Sequence, residues 1–284
     1  MTGFSAAWLA LREGVDHRSR NPDLVRRLAG RFIDTPSVRV VDLGSGTGSN
    51  LRATAPLLGP MQEWTLVDYN PALLEEAARV LTLWADEARA IGDSLVLIKG
   101  GKNIGVSFRI ADLNLDLESV LEKHPDLVTA SALFDLISTA WMAHFAKAVA
   151  ASGANFYTVL TYDGRDEFSP AHAQDRAVVA AFGEHQKRDK GFGPAAGPKA
   201  AKALVDAFVA AGYSVETGDS PWVLNTSDKA LVQELLGGLA GAVGETGLIA
   251  PEALADWLAF RKAEARKKGS WMMTGHTDIM AHPR

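Results

Sequence analysis

The sequence predicts an α/β fold, a doubly wound and mostly parallel sheet closed by a C-terminal antiparallel hairpin, with helical additions at both ends. Three observations predict it. Apolar strand patterns alternate with helical ones along most of the 284 residues. The stretch Val38-Arg-Val-Val-Asp-Leu-Gly-Ser-Gly-Thr-Gly48 reads as strand, glycine turn and helix start in direct succession. A second apolar run, Trp64-Thr-Leu-Val67, ends on a carboxylate, Asp68.

Taken in order, residues 1–34 read as helical, with Asn21-Pro22-Asp23 as a helix start. The helix after the glycine turn runs from Ser49 to Leu57 and stops near Gly59-Pro60. Asn70-Pro71 opens the next one, whose Leu73, Leu74, Ala77, Ala78, Leu81 and Trp84 keep helical spacing. Leu95–Ile98 and Ile104–Ile110 flank Gly100-Gly101-Lys102-Asn103 as a hairpin-like excursion whose second arm is the third core strand. Asp126–Ala132 and Ala154–Thr161 are the fourth and fifth strands. Residues 163–198 are polar and partly helical, and Lys199–Ala211 is an amphipathic helix. Tyr213–Glu216 and Trp222–Asn225 are expected to form the closing hairpin, followed by helices over Asp228–Leu236 and Pro251–Lys267. The tail, Trp271–Arg284, suits either an extra strand or a pocket cover. The expected organisation is an N-terminal helical cap (1–35), a core (36–226) with a lid-like insertion (163–198), and C-terminal helices with a tail (227–284).

The glycine turn carries the ligand signal. Glycines at 44, 46 and 48 let backbone come close to a ligand where a Cβ would stand in the way. Asp68 lies 20 residues beyond Gly48, where an α/β nucleotide site places the carboxylate that accepts both ribose hydroxyls. A dinucleotide turn reads G-x-G-x-x-G; here D-L-G-S-G-T-G places Asp42 two positions before the first glycine. That carboxylate would repel a pyrophosphate and suits a ligand carrying an ammonium group.

This motif resembles the first motif of the class I S-adenosylmethionine (SAM)-dependent methyltransferases, and Asp68 resembles their ribose-binding acid. The resemblance covers roughly residues 36–226 and implies a Rossmann-like core with SAM as cofactor. It implies cofactor contacts from Asp42, Gly44, Ser45, Gly46 and Gly48, with Leu43 and Tyr69 flanking the adenosine. Asp112, with Leu113, ends the third strand where the family commonly places an acid for the adenine amino group; the other reading of Asp112 is a helix N-cap. An arginine of the leading helix (Arg12, Arg18 or Arg20) suits the methionine carboxylate.

Ligands in this fold sit beyond the carboxyl ends of the strands, so Thr129-Ala-Ser131-Ala-Leu-Phe-Asp135 faces the reaction centre. Ser131 is expected at the ligand, and Asp135 is a carboxylate able to orient an amine or take a proton, unless it only starts the next helix. The Asn-Pro motif of the amino-methylating DNA and protein enzymes is missing here, which counts against those substrates. His172 and His185 in the insertion are candidate acid–base groups, and their spacing makes no metal constellation. A SAM-binding protein that does not methylate, or a nicotinamide-dependent oxidoreductase, would use a similar strand–loop–acid layout.

A net charge of −5 argues against a general nucleic-acid binder. With no cysteine, disulfides and thiolate metal sites are excluded, and a reducing cytoplasm is the compatible compartment. Met1–Leu11 has no charged n-region followed by an apolar stretch, and no apolar run suits a bilayer, so no membrane partner is expected. The expectation is a cytoplasmic methyltransferase acting on a small-molecule acceptor, with no metal. The acceptor's identity and the oligomeric state stay open.

Overall fold

The structure is a computed structural model and describes residues 4–284. Helices α1 (Ala6–Ser19) and α2 (Pro22–Phe32) precede β1 (Ser37–Leu43), α3 (Ser49–Thr54), β2 (Met61–Asp68) and α4 (Pro71–Trp84). Then come β3 (Glu87–Ile91), β4 (Ser94–Lys99), β5 (Lys102–Ile110), α5 (Leu113–Leu121), β6 (Leu127–Ser131), α6 (Thr139–Ser152) and β7 (Asn155–Ser169). The last third holds α7 (Asp175–Gln186), α8 (Ala200–Ala210), β8 (Tyr213–Asp219), β9 (Trp222–Leu224), α9 (Lys229–Gly244), α10 (Pro251–Glu264) and β10 (Trp271–Pro283). Among the described residues no helix is long and apolar enough to cross a membrane.

Local chemistry sets the helix starts. Asn21 accepts from the amides of Asp23 and Leu24 ahead of α2, and Asn70 accepts from Ala72 ahead of α4, each with proline in the first turn. Val38, Val40, Val41 and Leu43 are all buried, as a parallel strand covered on both faces requires.

The sheet runs β3-β4-β5-β2-β1-β6-β7-β10-β8, with β9 paired to β10. Strands β5, β2, β1, β6 and β7 are mutually parallel, and β3, β4 and β5 form an antiparallel meander at one edge. One apolar core packs α2, α3, α4, α9 and α10 on one side; the other packs α5, α6 and α8.

The C-terminal antiparallel pairing is present, but its members differ from the expected hairpin. Tyr213–Glu216 and Trp222–Asn225 are not paired with each other: β8 pairs with Thr277–Pro283 of β10, and β9 with Met272–Thr274. The chain leaves β8 through Ser220-Pro221, where proline cannot donate to a ladder, and the tail offers a longer partner. That tail is an inner strand, antiparallel to both β7 and β8. Asp278 obscured it, being a carboxylate with 0% exposure in mid-strand. It is fully engaged, accepting from the Leu160 amide (2.8 Å), the Ser220 hydroxyl (2.6 Å) and the Asn21 amide (2.8 Å).

Three other elements depart from expectation. Strand β3 is exposed at every residue and so leaves no alternating pattern. Helix α9 runs on past Leu236 through Gly237, Gly238 and Gly241, because Leu239, Ala240 and Val243 bury against the core and outweigh weak glycine propensity. The start of the 163–198 segment continues β7, its Asp166–Ser169 paired with Trp271–Thr274 of β10 as a ribbon beyond the carboxyl ends of the parallel strands.

Candidate active site

Strand β1 delivers the chain to a turn at Gly44–Gly48 that opens α3. Gly44 (φ +60°) and Gly46 (φ +52°) hold left-handed backbone, and a Cβ on them would meet Leu133 at 3.3 Å and Leu9 Cδ1 at 2.9 Å respectively. The Ser45 amide donates to the Val67 carbonyl (3.0 Å), which ties the turn to β2. Asp68, at the end of β2, accepts from the Gly46 amide (2.9 Å) and the Asn70 amide (2.9 Å). Burial pushes its carboxyl upward, and the two backbone bonds oppose that. Each oxygen still has a lone pair for a second donor.

Asp42 is deeper, at 1% exposure. Its Oδ1 accepts from Asn50 Nδ2 (2.7 Å), its Oδ2 has no partner among the described residues, and burial pushes its carboxyl up to about 7. Asn50 joins Asp42 to the leading helices, since Arg20 donates to Asn50 Oδ1 (2.8 Å) and to Thr54 (2.9 Å). Helix α1 is tied to α3 by His17 on Ser49 Oγ (3.0 Å) and by the Glu13–Arg52 ion pair (2.6 Å). Arg12 and Asp16, four residues apart on one face of α1, and Arg20 at its C-cap are all buried.

The adenine-side candidates sort differently. Tyr69 is half-exposed beside the end of β2, next to the exposed Ile110 at the end of β5, which the sequence reading missed. Asp112 is the N-cap of α5, accepting from the Asn114 amide (2.9 Å), so the capping reading holds for one oxygen. The Leu113 side chain is buried in the core, so any ligand contact it makes is through its backbone. Ser131 ends β6, followed by Ala132 in left-handed backbone (φ +51°).

Asp135 lies in the turn Phe134–Leu136 after β6 and is 9% exposed. No other described residue hydrogen-bonds its carboxylate, and burial pushes it up to about 6 against the opposing charges of Arg12 and Lys190. The Asp135 charge acts on Tyr162, which heads a cluster that sequence reading gave no role. Tyr162 of β7 donates to Asp166 (2.6 Å), which also accepts from Thr274 (2.7 Å), and burial holds the Asp166 carboxyl up at about 6. His276 of β10 packs against Trp222 of β9, with ring centroids 5.2 Å apart. These residues come from β7, β9 and β10, and only the long-range pairing of the tail with β7 brings them together.

The structure places His172 and His185 away from the glycine turn. His172 accepts from the Gln174 amide (3.2 Å) and packs on Phe260 of α10, in a layer braced by the Asp175–Arg261 ion pair. His185 is bonded to Glu245 (3.2 Å) across α7 and α9. Neither is bonded to the glycine turn or to Asp135. Arg18 pairs at the surface with Asp228 (2.7 Å), which removes it from the cofactor candidates. Among the described residues, no group of three or more His, Asp or Glu is placed to hold a metal ion. A cavity of about 350 Å³ lined by Arg39, Glu63, Thr65, Val96 and Ser107 includes none of the residues above.

No family model and no curated protein matches the chain. Solved structures do. The YcgJ protein of Bacillus subtilis aligns at 15% identity and a TM-score of 0.50, over 94% of this chain and 99% of its own. A SAM-dependent methyltransferase from Thiobacillus denitrificans, solved with S-adenosylhomocysteine, aligns at 17% identity and 0.45, over 99% and 100%. The cyclopropane synthase MmaA2 of Mycobacterium tuberculosis aligns at 9% and 0.46, over 90% and 83%. The likeness to the YcgJ protein and the strand order define a Rossmann-like α/β fold, and SAM-dependent methyltransferases are among its solved neighbours.

Proposed function

We propose that this chain binds SAM at the Gly44–Gly48 turn and transfers its methyl group to a small-molecule acceptor. The observation that carries the reading is Asp68. It is anchored to the turn through the Gly46 amide, at the end of β2, with acceptor capacity left for a ribose diol. Tyr69 and Ile110 supply apolar flanks for adenine, and Asp42, held by Asn50, keeps an unpaired Oδ2 for an ammonium group, whose charge would draw the carboxyl to its ionised form.

Bound there, SAM supplies an electrophilic methyl group on a sulfonium whose departure needs no proton. What remains for the protein is to align the acceptor, exclude water and take a proton where the acceptor carries one. Asp135 is the group for that last role, since its carboxylate is otherwise unengaged, near the end of β6, with a pKa of about 6. Tyr162, fixed by Asp166, forms a polar wall beside it. Helix α1 covers the turn through Leu9, which favours a closed site during reaction.

Calorimetric titration with SAM, S-adenosylhomocysteine and NADH tests the reading. Binding of both sulfur nucleotides without NADH is the expected result. Binding of NADH alone would overturn the cofactor, and the site residues would have to be reassigned.

A further inference from the structure

Nitrogen atoms without protein partners gather where the carboxyl-terminal half of β7 meets the amino-terminal half of β10 and β9. Arg12 is 9% exposed and engages only its Nε, on Asp16 (2.8 Å); its two terminal nitrogens bond to no described residue. Its guanidinium lies over the Trp222 ring, 4.8 Å from the centroid. Such stacking fixes the plane of the guanidinium and leaves its outer edge free. Trp222 is 3% exposed, and its Nε1 is buried without an acceptor among the described residues. His276, 6% exposed and packed on the same ring, has a buried Nδ1 that is equally unpaired. Burial, with Arg12 and Arg165 adding to it, pushes this imidazole down to about 3, so it is neutral and offers one N–H. Buried polar atoms are normally satisfied; Trp222 Nε1 and His276 Nδ1 are not, and with the unpaired terminal nitrogens of Arg12 beside them they call for a polar group brought in from outside.

We propose that Arg12, Trp222 and His276 form the carboxylate subsite of the acceptor pocket, so that the acceptor is a small molecule carrying a carboxylate. This rests on the methyltransferase reading above. The free edge of Arg12 meets a planar two-oxygen group bidentately, and Trp222 Nε1 adds a third donor. A doubly charged phosphate fits less well. Arg12 is already paired with Asp16 and acts on Asp135, and these two carboxylates oppose a second negative charge.

The test is calorimetric titration of the S-adenosylhomocysteine-loaded protein with acetate, phenylacetate and succinate, their neutral amides, and inorganic phosphate. At least one carboxylate should bind about tenfold or more tightly than its amide. Arg12→Gln and Trp222→Phe should each remove about that factor while S-adenosylhomocysteine affinity stays unchanged. Trp222→Phe keeps the ring packing, so it decides the matter if Arg12→Gln does not fold. No preference for any carboxylate over its amide, or tighter binding of phosphate, overturns the proposal. So does a loss of S-adenosylhomocysteine affinity in Arg12→Gln that spares its decarboxylated analogue, since Arg12 would then hold the cofactor's own carboxylate. If the wild type binds no S-adenosylhomocysteine, the methyltransferase reading fails, and the carboxylate–amide comparison on the protein alone still decides the subsite.

Discussion

Asp68 gathers two backbone amides and keeps room for a ligand, so its loss removes charge-assisted acceptors where a ribose is expected. Asp68→Ala should weaken SAM binding by about 1.5–3 kcal/mol, read by calorimetry; a folded variant with unchanged affinity would sink the ribose assignment. Asp135→Asn keeps the shape and removes the base. It should spare S-adenosylhomocysteine affinity and lower turnover by about 100-fold or more. The carboxylate must be ionised to act, so wild-type turnover should rise as pH passes about 6. The variant should lack that rise. Asp68 was legible because a strand-end carboxylate at fixed distance from a glycine turn has few other uses. Trp222 and His276 were not legible, since a lone tryptophan and a lone histidine carry no pattern until a fold sets them side by side.

At the scale of elements, β10 is the decisive one. It fills the space between β7 and β8 and also carries β9, so removing residues 271–284 would leave β8 and β9 unpaired and strip β7 of its antiparallel neighbour. The truncated chain should lose cooperative unfolding by circular dichroism and elute as aggregate. A folded, monomeric product would show that the tail is dispensable. The tail was hard to read because Thr274, His276 and Asp278 break its apolar alternation, and each of these polar residues is buried. Helices were easier, since Asn21 and Asn70 ahead of proline mark starts by local chemistry alone. The full length of α9 depended on packing.

Across the whole molecule, buried carboxyls set a pH dependence of stability. Burial raises Asp42 to about 7 and Asp135 and Asp166 to about 6, all above the unfolded value of about 4. The folded state therefore binds these protons more tightly than the unfolded state does. Their contribution is complete below about pH 4 and is lost as pH rises through 6 and 7. The melting temperature of the unliganded protein should accordingly fall between about pH 6.5 and about pH 8, above the range in which His276, held neutral by burial, acts in the opposite direction. Asp42→Asn should flatten the upper part of that fall, and a variant curve parallel to the wild type would refute the assignment.

By itself the sequence determined the α/β class, the order of the parallel core strands and helices, the glycine turn and its partner Asp68. These follow from local rules, namely hydrophobic period, capping residues and backbone that only glycine adopts easily. Tertiary structure alone decided that the tail enters the sheet, that His172 packs on α10 and His185 on Glu245, and that Arg12, Trp222 and His276 meet. Those contacts join residues distant in sequence, from 54 positions for Trp222 and His276 to 210 for Arg12 and Trp222, and their energies come from burial and strand pairing that no local pattern records.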